Sequence, residues 1–230
     1  MAKRHPVSRS RPTQSAGAED IFVEKTLVVS GWARQNRQAL TLGAIGLVAL
    51  LGGALYYASY RSGHLDQAAI ELERVRQNAM FGDSAAATVE LTQYIESFGN
   101  TPYAAEASLL LGELYLNTGQ PAEAVEALAA TADPRDPVGV QAAVLLARAH
   151  EQEGQLEEAE QVYLRIADGA DLDFQVFEAL ADAARIRQSR GDAAGAAELY
   201  QRILDDIDET APLRDVFRMR LEEARARAAS

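Results

Sequence analysis

The sequence predicts an all-α protein in which one transmembrane helix precedes an α-solenoid, that is, a stack of helical hairpins. Two observations lead to this fold class. Residues 39–60 form a run of 22 residues without a charged side chain, which is the length that one helix needs to cross a bilayer. After this run, a Gly-to-Ala pattern recurs four times at intervals of 35 or 37 residues, and a period of this size is typical of helical repeats.

Charge divides the chain at the apolar run. The sequence holds 22 Lys and Arg against 34 Asp and Glu, a net charge of −12. Residues 1–38 contain seven basic and three acidic residues (+4), whereas residues 61–230 contain 15 and 31 (−16). The large acidic region would repel phosphate, so nucleic acid is excluded as a partner. The chain has no Cys, which excludes disulfides, thiolate catalysis and Cys-based zinc sites.

The segment before the apolar run has two parts. Residues 1–18 are basic, contain Pro and Ser and have almost no apolar side chains, which predicts a disordered tail. Residues 19–38 mix apolar side chains such as Phe22 and Trp32 with charged ones. This juxtamembrane segment is either an amphipathic helix in the membrane interface or a solvated linker.

Residues 39–60 are predicted to be the transmembrane helix. Aromatic and cationic residues, which favour the membrane–water interfaces, flank the run on both sides: Trp32, Arg34 and Arg37 before it, and Tyr56, Tyr57, Tyr60 and Arg61 at its end. A cleaved signal peptide is the alternative, and it is disfavoured by the 38 residues that precede the run. The basic tail favours a cytoplasmic N-terminus and places residues 61–230 across the membrane.

One face of the predicted span carries small residues. At 100° per residue, six positions fall within one 120° arc of the helix, which makes them a candidate docking face for another transmembrane helix or a second copy of this chain: Ala39, Gly43, Gly46, Ala49, Gly53 and Tyr57. The alternative is a plain anchor, because Gly is common in membrane helices.

The repeat predicts helical hairpins. Each Gly would accept the positive φ at which a first helix ends. An Ala five residues later lets two helix backbones approach, and a larger side chain four residues further on fills the space beside it. The four copies are Gly82, Ala87 and Leu91; Gly119, Ala124 and Leu128; Gly154, Ala159 and Tyr163; and Gly191, Ala196 and Tyr200.

The repeat domain is predicted to cover residues 61–230. Its units lie near residues 68–102, 105–138, 140–173 and 177–210, and a capping helix lies at 212–228. The first unit departs most from the pattern, with Arg74-Val75 where Leu-Gly is expected. Whether it is a true repeat stays open, since terminal units are usually atypical.

At these residues the chain resembles the tetratricopeptide repeat. The second unit shows the pattern best, with Leu111-Gly112, Tyr115, Ala124 and Leu128. The layout of residues 20–230 is also similar to the single-span, tetratricopeptide-containing inner-membrane proteins typified by YfgM. This resemblance implies a bacterial inner-membrane protein with a periplasmic domain that associates with the Sec translocon and periplasmic chaperones.

The tetratricopeptide resemblance also implies a groove on the first helix of each unit. The implied lining mixes charged and apolar side chains, which suits an extended polypeptide or a helix; an ordinary solvated concave face is the alternative. Residues 61–230 contain no Lys, so the clamp with which some members hold a terminal carboxylate has no match here. The candidate groove residues are Glu106, Leu109, Glu113, Leu116, Asn117, Gln141, Val144, Arg148, Glu151, Gln152, Glu178, Ala181, Arg185, Gln188 and Ser189.

An enzyme is not expected, and neither is a cofactor or a metal. The three histidines, His5, His64 and His150, are far apart in sequence, and no phosphate loop, nucleophile elbow or metal-ligand cluster is present. The sequence thus predicts a membrane-anchored scaffold with protein partners, either an ancillary translocon subunit that holds chaperones or client polypeptides near the Sec exit, or a structural or assembly subunit of another membrane complex.

Overall fold

The computed structural model describes residues 36–230, and in this part of the chain all regular secondary structure is helical. The predicted tail, 1–18, and nearly all of the juxtamembrane segment, 19–38, lie outside the described residues. The prediction of an all-α chain is confirmed. The helices are α1 (Arg37–Phe81), α2 (Ser84–Phe98), α3 (Tyr103–Asn117), α4 (Pro121–Leu128), α5 (Pro137–Gln152), α6 (Leu156–Gly169), α7 (Asp173–Ser189), α8 (Ala193–Asp206) and α9 (Arg214–Ala228).

Helix α1 is 45 residues long and contains the uncharged run. It is long and apolar enough to cross a membrane, with a window of mean hydropathy 2.0, and none of that window is buried inside the protein. A stretch this apolar would be expected in a protein core or a bilayer. Since the apolar window does not contribute to the core, it is a candidate membrane anchor. The described part of the chain divides after Gly63 into two units, of which the second, residues 64–230, is compact.

Three of the predicted turns end the first helix of a hairpin with glycine in the left-handed region. The φ angles are 71° at Gly119, 75° at Gly154 and 87° at Gly191. At each turn the residue after Gly donates its N–H to a carbonyl five residues back, as Gln155 does to His150 at 2.8 Å. This is the Schellman motif, which satisfies carbonyls left free at a helix end. The predicted role of glycine is confirmed at these three turns.

The first hairpin turns differently, and Gly82 is not among the glycines with positive φ. Its N–H donates to the Asn78 carbonyl at 2.7 Å, which continues the helical pattern. The next residue, Asp83, caps α2 through its side chain, which accepts from the Ala85 N–H. The first turn therefore combines a continued helical hydrogen bond at Gly82 with a side-chain cap at the start of α2.

The repeated alanines are buried between helices. Ala124, Ala159 and Ala196 are 0% exposed and Ala87 is 1% exposed. The larger residues that follow them by four positions are also buried. Together with other buried side chains they form two apolar clusters, one among α1, α2 and α3 and a larger one that runs from α4 to α9. The core therefore extends from one hairpin to the next, because a single hairpin could not bury its own apolar face.

Gly112 marks a close approach between α3 and α4. A Cβ placed on Gly112 would lie 2.4 Å from Leu128 Cγ. Leu128 is fully buried, so it has no free space to move into. Only glycine therefore fits at this position of the Leu111-Gly112 pair.

Candidate functional site: a groove along the first helices

The first helices of the last three hairpins, α3, α5 and α7, line an open groove of about 910 Å³. The second helix α6 forms part of its floor through Tyr163 and Ile166, and the start of α9 forms one wall. Seven candidate residues from the sequence line this groove: Leu109, Glu113, Gln141, Val144, Arg148, Glu178 and Ala181.

A smaller pocket of about 330 Å³ adjoins the groove, with which it shares Arg148, Tyr163 and Asp182. Three further candidate residues, Glu151, Gln152 and Arg185, line this pocket. Its position follows from helix geometry, because these side chains lie one to two turns beyond the groove residues on α5 and α7.

The remaining five candidates lie outside both pockets. Glu106 forms an ion pair with Arg76 of α1, and Leu116 packs against the larger apolar cluster. Asn117 and Ser189 are the last residues of α3 and α7. Gln188 has its Nε2 atom buried without a hydrogen-bond partner among the described residues. Ten of the fifteen candidate residues therefore line the groove or the adjoining pocket, and the other five lie toward the ends of α3 and α7.

Sequence reasoning missed the apolar end of the groove. Phe174 of α7 is 57% exposed, and Leu213 and Val216, beside the start of α9, are 58% and 43% exposed. All three line the groove. The available signal was a pair of apolar side chains, Leu172 and Phe174, at the boundary between the predicted units 140–173 and 177–210, where solvated residues are usual.

The small pocket has a bidentate ion pair between neighbouring repeats. Arg185 donates from its two terminal nitrogens to the two carboxylate oxygens of Glu151, at 2.8 and 2.9 Å. The hydroxyl of Tyr163 donates to the same carboxylate at 3.0 Å, and Arg185 also contacts Asp182 at 3.2 Å. These charge-assisted hydrogen bonds join α5, α6 and α7.

The ion pair holds its groups in their charged forms. Partial burial alone would raise the pKa of Glu151, but the hydrogen bonds from Arg185 and Tyr163 and the nearby Arg charges lower it below its ordinary value. The hydrogen bond to Glu151 raises the pKa of Arg185. Burial raises the pKa of the Tyr163 hydroxyl, which therefore remains a donor.

The groove itself is acidic. Its lining contains three carboxylates, on Glu113, Glu178 and Asp182, and a single cation, Arg148. Within residues 36–230, no ion pair involves Glu113 or Glu178, both of which are exposed. The groove thus combines an apolar end with two exposed carboxylates, on Glu113 and Glu178, that form no ion pair within residues 36–230, whereas Asp182 contacts Arg185 at 3.2 Å.

The histidines do not gather into a site. His150 Nδ1 lies 2.6 Å from Gln155 Oε1, and the His64 ring packs against Phe98 with a centroid separation of 5.2 Å; His5 lies outside the described residues. Among residues 36–230, no group of three or more His, Asp or Glu side chains is placed to hold a metal ion.

The candidate docking face on α1 is open. All six of its residues are exposed, and a Cβ on Gly43, Gly46 or Gly53 would meet no described atom within 4 Å. The face leaves room for a second helix to approach.

Residues 31–226 match the family described as a tetratricopeptide repeat-like domain. A solved structure of the tetratricopeptide-like repeats of a putative kinesin light chain from Podosopora anserina is 21% identical, with a TM-score of 0.54 over 71% of this chain and 87% of that one. A tetratricopeptide repeat protein from Parabacteroides merdae is 16% identical, with a TM-score of 0.56 over 70% of this chain and 61% of that one.

At these identities the solved structures show the shared fold. The search of curated proteins found no match. The family match, in contrast, extends over most of the chain and agrees with the stacked hairpins and their glycine turns. The chain therefore belongs to the tetratricopeptide repeat-like family, whose folds serve as scaffolds for protein–protein interaction.

Proposed function

We propose that this protein is a membrane-anchored scaffold that binds a polypeptide segment in the groove between α3, α5, α7 and α9. The open groove of about 910 Å³ is the observation that carries the proposal. Helical solenoids use concave surfaces of this kind to bind partners. The exposed Phe174 supplies an aromatic side chain of a type that is enriched at protein interfaces.

The anchor in this proposal is the span at residues 39–60. It is supported by the uncharged run, the aromatic flanks and the exposure of this part of α1. The basic tail supports a cytoplasmic N-terminus and a repeat domain on the other side of the membrane. The resemblance to the YfgM-like proteins is the support for a bacterial inner membrane with the domain in the periplasm.

The specific role that we propose is that of an ancillary translocon subunit, which holds periplasmic chaperones or client polypeptides near the Sec exit. Its support is the layout of span and repeats, which resembles the YfgM-like proteins. A structural or assembly subunit of another membrane complex would use the same anchor and groove, so the identity of the partner distinguishes the two roles.

Photo-crosslinking in intact membranes tests the groove and the partner together. We would place a photoreactive residue at Gln141, which is exposed in the groove, and as a control at Glu158, which is exposed on α6 outside it. We expect crosslinks to a translocon component, a chaperone or a client from position 141 and none of the same products from position 158. The same crosslinked products from both positions would rule out the groove as the binding site. Crosslinks to a single unrelated membrane complex would favour the structural or assembly role over the translocon role.

A further inference from the structure

We infer that the groove selects a basic amphipathic helix of about two turns. This inference rests on the proposed function, that the groove binds a polypeptide, and adds the chemistry and the conformation of the segment. The ligand is a helical protein segment with apolar side chains on one face and Lys or Arg beside them.

The apolar end defines one face of the ligand. Phe174, Leu213 and Val216 are all about half exposed although they line a concave surface. Leaving such side chains in water costs free energy that a bound apolar side chain recovers. They come from α7 and from the start of α9, so a ligand side chain inserted here would contact two helices at once.

The carboxylates define the flanking charge. On α7, Phe174, Glu178 and Asp182 are spaced by four residues, so they lie along one face of the helix over roughly 12 Å. Glu113 faces the same groove from α3. A ligand anchored at Phe174 therefore meets the carboxylate of Glu178 one helical turn away, where Lys or Arg would be complementary in charge. Asp182, one turn further, is already paired with Arg185 at 3.2 Å, and Arg148 is the one cation in the lining. The carboxylates open to a basic ligand are therefore those of Glu178 and Glu113.

The dimensions suit a helix. A cylinder about 10 Å across and about 11 Å long, which is two turns of α-helix, has a volume of about 850 Å³. The groove, which is open to solvent and has a volume of about 910 Å³, has room for a segment of this size. Two turns also match the distance of roughly 12 Å that Phe174, Glu178 and Asp182 span along α7. A helix usually binds in a groove through apolar side chains at i, i+3, i+4 and i+7.

Three synthetic peptides test this inference on the full chain in zwitterionic nanodiscs. The first is a 14-residue amphipathic sequence with Leu at i, i+3, i+4 and i+7 and Lys beside them. The second replaces every Lys with Glu, and the third places Pro at the centre of the first. Fluorescence anisotropy, corrected with empty nanodiscs, gives the dissociation constants.

We expect the basic helix-forming peptide to bind about tenfold or more tightly than the acidic one, and its affinity to fall as salt is raised. The Pro peptide should bind about tenfold more weakly, because proline breaks the helix. Equal binding of the basic and acidic peptides would overturn the charge selection. Equal binding of the basic and Pro peptides would overturn the helical conformation.

Matched variants locate the binding. Phe174→Ala should weaken binding of the basic peptide about tenfold. Phe81→Ala is the control and should not change binding, because it removes an aromatic side chain that is 88% exposed outside the groove. Glu178→Gln should weaken binding roughly two- to fivefold, whereas Glu158→Gln should have no effect. Equal losses from the members of either pair would place binding elsewhere.

The crosslinking and peptide experiments together distinguish a wrong ligand chemistry from a wrong function. If crosslinks from position 141 persist while none of the three peptides binds, the groove is a protein-binding site and the inferred ligand chemistry is wrong. If the crosslinks are also absent, the proposed function itself fails.

Discussion

Gly154 determines the turn between α5 and α6 through its backbone conformation. Its φ of 75° lies in the left-handed region, where a Cβ is unfavourable for most L-residues. Open space surrounds the position, because a Cβ added there would meet no described atom within 4 Å. Any cost of substitution therefore comes from the backbone alone.

We predict that Gly154→Ala lowers the free energy of unfolding by about 1–2 kcal/mol. Gly154→Asn should cost less, because Asn tolerates the left-handed conformation. Thermal and urea unfolding of the detergent-solubilised chain, followed by circular dichroism at 222 nm, measures both. Equal costs for Ala and Asn would show that the turn does not depend on positive φ.

The carboxylate of Glu151 makes stability depend on pH. Its pKa is lowered from an ordinary value of 4.5, so the charged form is favoured in the folded state. The stabilisation is therefore present above about pH 4.5 and is lost as the pH falls through the lowered folded pKa.

We predict that Glu151→Gln lowers the melting temperature at pH 7 and that the gap between variant and parent narrows as the pH drops below about 4.5. Melting curves between pH 7 and pH 3 measure this. Glu158→Gln, which removes an exposed carboxylate of α6, is the control and should leave the pH profile of the parent unchanged. A constant gap at all pH values would contradict the role of the ion pair.

Helix pairs in this stack depend on small residues at their contacts. Ala159 of α6 is fully buried, and interiors as dense as protein cores have no space for three additional carbon atoms. The same argument applies to Ala124 and Ala196 in the neighbouring hairpins.

We predict that Ala159→Leu destabilises the domain by about 1–3 kcal/mol through overpacking. Gln161→Leu places the same side chain on an exposed position of the same helix and should change stability by less than about 0.5 kcal/mol. Denaturant unfolding compares the two. A similar small effect for both would show that the α5–α6 contact is loose.

The small-residue face of α1 gives a prediction for the span. Changing Gly46 and Gly53 together to Leu keeps the helix apolar but removes the close approach of a partner helix. We expect the double variant to reach the membrane in normal amounts, with a folded repeat domain, and to lose a partner complex that co-purifies with the parent. Retention of that complex at the parental level would make the span a plain tether.

At the scale of the whole molecule, the proposed topology separates a basic tail from an acidic domain. The seven basic residues before the span would be costly to translocate. We predict that protease added to right-side-out spheroplasts digests the region after Arg61 and spares the tail. Antibodies to each end, with lysed cells as the control, measure this. Digestion of the domain only after lysis would reverse the orientation.

The sequence alone determined those features that depend on short-range geometry. The period of 35 to 37 residues, the Gly turns and the Ala contacts follow from φ restrictions and from the i, i+4 spacing on a helix, so the hairpins were predictable. A helix over the uncharged run was predictable for the same reason, since a single helix satisfies its own backbone hydrogen bonds even where no water is available. Gly82 is the exception, because its N–H continues the helical hydrogen-bond pattern of α1 and its φ is not positive.

Only the tertiary structure decided which of these residues meet. Glu151 and Arg185 are 34 residues apart in sequence, and the apolar end of the groove joins Phe174 to Leu213 and Val216 beside the next-but-one helix. Such contacts depend on how each hairpin rotates and packs on the one before it. No local spacing encodes that rotation, because it results from the sum of many side-chain contacts across the stack.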